Sequence, residues 1–195
     1  MRGSSNIYKG IVIVLLALSA PRIVQAQTKT WTVSTNALSW LNLGTINAEG
    51  AVSVHNHFSI NAGFTANPWK MTSPTYVDLI NRQYGGYIGA KYWPWHTFSE
   101  WWIGAKLQYK NFEEVGLLSP NYITGDAIGA GFSAGYSIMI SDHFNIDFGL
   151  GFWGGRCIKY TKYKGKYKEE SMVVDTKPRN FFFLDNVMVS LVYIF

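Results

Sequence analysis

The chain has 195 residues, of which 48% are hydrophobic and 16% aromatic, with a single cysteine and a formal net charge of +5. One cysteine excludes an intrachain disulfide framework and two-cysteine redox chemistry. The basic excess is small and concentrated near the N-terminus, so nucleic acid is not an expected partner.

Residues 1–26 read as a secretory signal peptide: Arg2 and Lys9 flank its start, an apolar run extends from Ile11 to Ala20, and Val24 and Ala26 precede the expected cut before Gln27. The run stops at Pro21 and Arg22, short of the roughly 20 residues that a membrane-spanning helix needs. Cys157 lies far from the cleavage region, which excludes a lipoprotein. Cleavage removes Arg2, Lys9 and Arg22 and no acid, leaving 14 basic against 12 acidic side chains over residues 27–195.

The remainder is expected to be one all-β domain. An opening strand, Trp31 to Leu41, alternates least clearly; Ile46 to His55 follows and places Glu49 on its polar side. In the next strand Phe58, Ile60, Ala62, Phe64 and Ala66 oppose Ser59, Asn61, Gly63, Thr65 and Asn67. Period two of this kind means a strand with one apolar face and one small or polar face. Gly86 to Trp93 carries Lys91 on its polar side, and Trp101 to Lys110 carries Lys106, Gln108 and Lys110. Ala127 to Ile140 alternates without a break and Ser141 to His143 turns it tightly into Phe144 to Phe152, where Asp147 shares the polar face. The closing strand, Asn180 to Phe195, points Val187, Val189, Leu191, Tyr193 and Phe195 one way.

Eight strands with alternating short connections (His55–His57, Pro94–Glu100, Ser141–His143) and longer ones (Lys70–Gln83, Glu113–Asp126, Tyr160–Pro178) fit an antiparallel up-and-down transmembrane β-barrel, with periplasmic turns and external loops. The first external loop, near Leu43–Thr45, is the short exception. All eight tryptophans fall at or near expected strand ends, where aromatic girdles belong. Val189, Leu191, Tyr193 and Phe195 resemble the C-terminal signal read by the barrel-assembly machinery. A soluble sandwich would also alternate. Small residues on the polar faces favour the barrel, whose interior is just wide enough for side chains.

Several short segments, in order and spacing, carry a resemblance: Thr35-Asn36 with Leu38, Asn67-Pro68-Trp69, Lys91-Tyr92-Trp93, Gly129-Ala130-Gly131 with Gly135-Tyr136, Phe144-Asn145-Ile146 with Gly149 and Gly151, and Val192-Tyr193-Ile194-Phe195. Over residues 31–195 the chain resembles the functionally uncharacterised small outer-membrane barrels common in Bacteroidetes, often encoded near fimbrial genes. That resemblance implies a Gram-negative outer-membrane location and the barrel fold. It supplies no catalytic residues. The chain departs from some relatives in having no cysteine pair in its external loops, and its second external loop is unusual.

His55, His57, His96 and His143 all fall in the short turns, away from the external end where barrel enzymes acting on lipid A or phospholipid keep their catalytic groups. Catalytic, metal and cofactor sites are therefore not expected. Facing inward, Glu49, Lys91, Lys106, Lys110 and Asp147 should form a polar plug of ion pairs, since unpaired internal charge is costly. The fourth external loop alternates lysine and tyrosine around Gly165, reading as a hairpin that is either a solvated, charged loop or a patch whose Lys159, Lys162, Lys164, Lys166 and Lys168 contact lipopolysaccharide phosphate or an acidic partner. The expected role is non-enzymatic: a structural, adhesion or accessory barrel of the envelope, with fimbrial or other outer-membrane proteins as partners. A lipid-modifying enzyme and a narrow ion channel are the alternatives.

Overall fold

In the computed structural model, residues 30–41, 44–71, 79–115, 121–164 and 172–195 are described. They form strands β1 (Trp31–Asn36), β2 (Ile46–His55), β3 (Phe58–Asn67), β4 (Lys70–Met71), β5 (Leu79–Tyr92), β6 (Glu100–Val115), β7 (Tyr122–Ser141), β8 (Phe144–Lys164), β9 (Met172–Asp175) and β10 (Arg179–Ile194), with one short helix, α1 (Ala37–Leu41). Every pairing is antiparallel. β1, β2, β3, β5, β6, β7, β8 and β10 follow one another around a sheet that β10 closes by pairing with both β8 and β1. The result is an eight-stranded up-and-down barrel. β4 extends the ladder on β5, and β9 pairs with the far end of β8.

Closure is completed at the C-terminus, where Phe195 N–H donates to the Trp31 carbonyl at 2.9 Å. Both chain ends of the barrel and the three tight turns therefore share one rim, here the turn end; the opposite rim is the loop end. The expected parity holds through most of the wall. Val187, Val189, Leu191, Tyr193 and Phe195 point outward together, as do Phe144, Phe148, Leu150 and Phe152.

The structure corrects the opening strand. β1 ends at Asn36, and residues expected to continue it form α1. Asn36 explains the break: its Oδ1 accepts from Leu38 N–H at 3.1 Å, capping the helix, and from Val189 N–H at 3.1 Å. Its Nδ2 donates to Asn186 Oδ1 at 3.0 Å and to the Val187 carbonyl at 3.2 Å. A capping asparagine competes with the ladder for backbone partners, and here it ends the strand. Gly44, at φ 71°, terminates the helical turn by donating to the Trp40 carbonyl at 2.8 Å.

The strand ends toward the loops are also longer than expected. β5 begins at Leu79, β6 runs to Val115, β7 begins at Tyr122 and β8 runs to Lys164, so much of the three expected long loops is ladder. Alternation concealed this because Arg82, Asn111, Glu113 and Asp126 occupy outward positions that the apolar rule reserves for greasy residues. Hydrogen bonding continues where the surface turns polar.

Three tryptophans are not girdle residues. Trp93, Trp102 and Trp153 are 1%, 1% and 2% exposed and lie inside. Trp93 and Trp102 join Phe98 and Ala51 in an apolar plug at the turn end, with Trp93 Nε1 donating to Ser59 Oγ at 3.0 Å. Phe98 is folded back into the lumen at φ 66°, a left-handed conformation that costs a non-glycine residue energy. Asn145 Nδ2 holds its carbonyl at 2.6 Å and Ser137 Oγ at 3.3 Å. A second apolar group, Trp153 with Ala127, Cys157, Tyr160 and Phe181, fills part of the loop end. Glycines make space for these rings: a Cβ on Gly135 would lie 2.5 Å from Trp102 Cζ2, and one on Gly63 would lie 2.5 Å from Tyr87 Cζ.

Candidate functional site

Between the two apolar groups lies a charged layer that the strands aim inward by parity. Glu49 from β2 receives three donors: Lys91 Nζ on Oε1 at 2.7 Å, and Tyr87 Oη and Asn61 Nδ2 on Oε2, each at 2.7 Å. Lys91 also lies 4.6 Å from the centre of the Trp102 ring, a favourable position for a cation over an aromatic face. Asp147 lies against Lys91 and Ser137, with its Oδ1 unpartnered. One lysine thus serves two carboxylates.

Nearer the loop end, Lys106 Nζ binds Asp185 Oδ2 at 2.7 Å, and Gln108 Nε2 reaches Asp185 Oδ1 at 3.5 Å. Lys106 also lies over Tyr87, 5.1 Å from the ring centre, and so joins the two halves of the layer. Of the expected internal plug, Glu49, Lys91, Lys106, Lys110 and Asp147 all face the lumen. They do not form one fully paired network: Lys110 makes no hydrogen bond or ion pair among the described residues.

Asp185 was missing from the expected plug. Counting back by twos from Phe195 puts it on the outer surface, but a register shift between Leu184 and Asn186 turns it inward. The available signal was an acid at an apolar-face position opposite an internal lysine surplus.

The outer surface is a belt. Trp101, Ile103, Ala105, Leu107 and Tyr109 of β6 face outward in succession before Asn111 and Glu113. At the turn end the belt is edged by paired aromatics, Phe58 with Tyr92 at 5.1 Å, Trp101 with Tyr136 at 5.1 Å and Phe144 with Tyr193 at 4.9 Å. Toward the loops it is edged by Tyr84, Tyr109 and the stacked pair Phe152 and Phe182 at 5.9 Å. Above those rings runs a polar seam across four strands. Arg82 binds Glu113 at 3.1 Å, Tyr122 Oη donates to the same carboxylate, and Asp126 accepts from Asn111 Nδ2 at 2.7 Å and Tyr109 Oη at 2.9 Å, with Lys159 at 3.7 Å. The Asn111 hydrogen bond, followed by those of Tyr109 and Lys159, holds the Asp126 carboxyl below the usual range against a partly opposing desolvation.

The expected lysine patch divides. Lys159 faces outward beside Asp126 and is 80% exposed, whereas Lys162 and Lys164 follow the opposite parity on β8. Lys162 stands across from Asp175 of β9, so β8 and β9 do form a hairpin; Lys166 and Lys168 lie outside the described residues. Three of the turn histidines approach one another, with the His57 and His96 rings stacked at 6.4 Å and His55 at 5.9 Å from His57, while His143 stacks on Tyr193. Among the described residues no group of three or more histidine, cysteine or acidic side chains is placed to hold a metal ion.

A family model matches residues 11–195, and its description is protein of unknown function (DUF3575). The chain belongs to that family. No curated protein matches it. Membership adds no activity to the geometry, and within the described residues no helix is long and apolar enough to cross a membrane.

Proposed function

We propose that this barrel spans the outer membrane of a Gram-negative envelope and serves there as a non-enzymatic structural or interaction protein. The observation that carries the reading is the outward belt. From Trp101 to Asn111 on β6, about ten residues rising about 3.3 Å each at a tilt of about 40° cover about 25 Å, the height of the apolar band in outer-membrane barrels. Aromatic residues border that band on both sides, and the polar seam begins where the lipid headgroups would. In water so much exposed aromatic and branched surface would drive aggregation.

The lumen supports a non-conducting role. Trp93, Phe98 and Trp102 fill the turn end, and the charged side chains above them are held mainly by one another. The interaction surface is then the loop end: the polar seam, Lys159 and the β8–β9 hairpin, facing lipopolysaccharide phosphate or a second envelope protein such as a fimbrial component. The divided lysine parity favours contacts on both faces of the hairpin over one flat basic patch. Envelope fractionation tests location, and folding into detergent with heat-dependent gel migration tests insertion. Recovery in the outer-membrane fraction with a boiling-sensitive fast-migrating form is expected; a soluble periplasmic protein that folds in plain buffer would overturn the reading.

A further inference from the structure

Midway along the barrel the described internal charges balance in number and not in place. Three carboxylates, Glu49, Asp147 and Asp185, share the lumen with Lys91, Lys106 and Lys110. The layer nearer the turn end holds two acids around one lysine. The layer nearer the loop end holds two lysines around one acid: Asp185 is taken by Lys106 at 2.7 Å, while Lys110 stands in the field of Asp185 and Lys106 with no partner among the described residues. Glu114, farther toward the mouth, attracts Lys110 only at longer range. Lys110 is half-buried inside the barrel and lines a chamber.

That chamber has a volume of about 110 Å³. Its polar lining includes Lys106, Lys110, Gln108, Gln83, Thr65 and Ser39, with Asp185 as the carboxylate on its wall. Leaving an ammonium group unpaired in such a place is unfavourable, and the arrangement holds one unit of positive charge more than its own acid neutralises. A single water needs about 10 to 15 Å³ of such space, so the chamber has room for a tetrahedral oxyanion with several waters around it. We propose that the chamber binds a small oxyanion, a phosphate monoester, inorganic phosphate or sulfate group, with Lys110 as its main counter-charge and Lys106 shared between the anion and Asp185.

On one side the chamber borders α1: β1 stops at Asn36 while β10 continues to Arg179, so the loop-end half of β10 pairs with β8 alone, and α1, whose Ser39 lines the chamber, packs against β10. A phosphate on a membrane lipid would have to enter past α1, whereas a free anion would not. The proposal concerns the interior and does not depend on the outer-membrane reading.

The test uses the purified full-length barrel, folded in zwitterionic detergent, or in buffer should it fold there. Its unfolding temperature is followed as inorganic phosphate replaces chloride at constant ionic strength. The wild type and Lys159→Gln should show the same saturable rise. Lys110→Gln should bind phosphate at least tenfold more weakly and, with its unpaired charge gone, unfold higher than the wild type in chloride alone. Should that variant fail to fold, Lys110→Arg must retain the phosphate response and Ser39→Tyr, which fills the chamber from α1, must lose it. Mixed micelles containing phosphatidic acid separate the sources: protection at least tenfold tighter than by inorganic phosphate assigns a lipid-borne group, and equal or weaker protection a free anion. No saturable response in the wild type, or an unchanged response in Lys110→Gln, overturns the proposal.

Discussion

The inner and outer surfaces of the wall follow opposite rules. On the outer surface the strands offer Leu107, Phe132, Phe148 and Leu150 to the surroundings, with exposures between 43% and 67%, while inside the same strands Asn145 and Asp147 are nearly inaccessible. A soluble β protein of this size would reverse the arrangement, with polar groups in water and apolar groups meeting in a core. The difference teaches that the strands are held from inside by ion pairs and rings fitted over glycines, and that the belt contributes its free energy only in an apolar surrounding.

Substitutions on each surface can break that contrast. The largest effect is expected inside. Lys91→Ala strands Glu49 and Asp147 together, and losing one member of a buried pair costs about 3 to 5 kcal/mol. Removing the carboxylate charges as well, with Glu49→Gln and Asp147→Asn, should recover most of that loss if the three act as a unit, which a mutant cycle on denaturant unfolding in detergent would measure. Equal and additive losses would show that the three side chains do not depend on one another.

On the belt, Leu150 lies midway along the outward run between Phe144 and Arg156 of β8. Leu150→Arg is expected to cost about 2 to 4 kcal/mol in a bilayer, and an arginine at Thr124, beside the polar seam, about 0 to 1 kcal/mol. Refolding equilibria of both variants in lipid vesicles give the comparison. Equal costs would remove the depth dependence that a membrane imposes.

Gly135→Ala drives a methyl into the Phe148 carbonyl and the Trp102 ring and should destabilise the barrel by about 1 to 3 kcal/mol, with a change in tryptophan fluorescence. The smallest effect belongs to the seam. The carboxyl of Asp126 is held low by the folded state, so its contribution is complete above the ordinary carboxylate range, about pH 4, and is lost as pH falls through its lowered value. Asp126→Asn should lower stability slightly at neutral pH and flatten that acid limb, so that the two proteins converge at low pH.

The same contrast explains what was legible in the sequence. Parity alone located Glu49, Lys91, Lys106, Lys110 and Asp147 inside and Val189, Leu191, Tyr193 and Phe195 outside, because a side chain's face on a strand is fixed by a period of two. It failed wherever the period is broken or the environment changes along a strand. A bulge beside Asp185 moved an acid from the apparent outer face into the lumen, and a second one near Asp126 and Ala127 changed the phase of β8, putting Lys159 and Lys162 on opposite sides. The seam residues mimicked loop composition while remaining in ladder. Asn36 ended β1 through side-chain bonds to residues 150 or more positions away, which no local pattern records. Trp102 and Trp153 occupied inward positions by parity, yet their closeness to strand ends suggested a girdle. Only the closed barrel shows the space that Gly135 leaves for one of them.

The most direct test of the belt uses nitroxide labels on single cysteines in a Cys157→Ser background, with the barrel reconstituted into lipid vesicles and label accessibility measured to oxygen and to a water-soluble nickel chelate. Labels at Leu107, Phe132 and Leu150 should meet oxygen and be shielded from nickel, while labels at Asn111 and Thr124 should show the reverse. Ready access of nickel to the first three positions in a folded barrel would contradict insertion of the belt into the membrane.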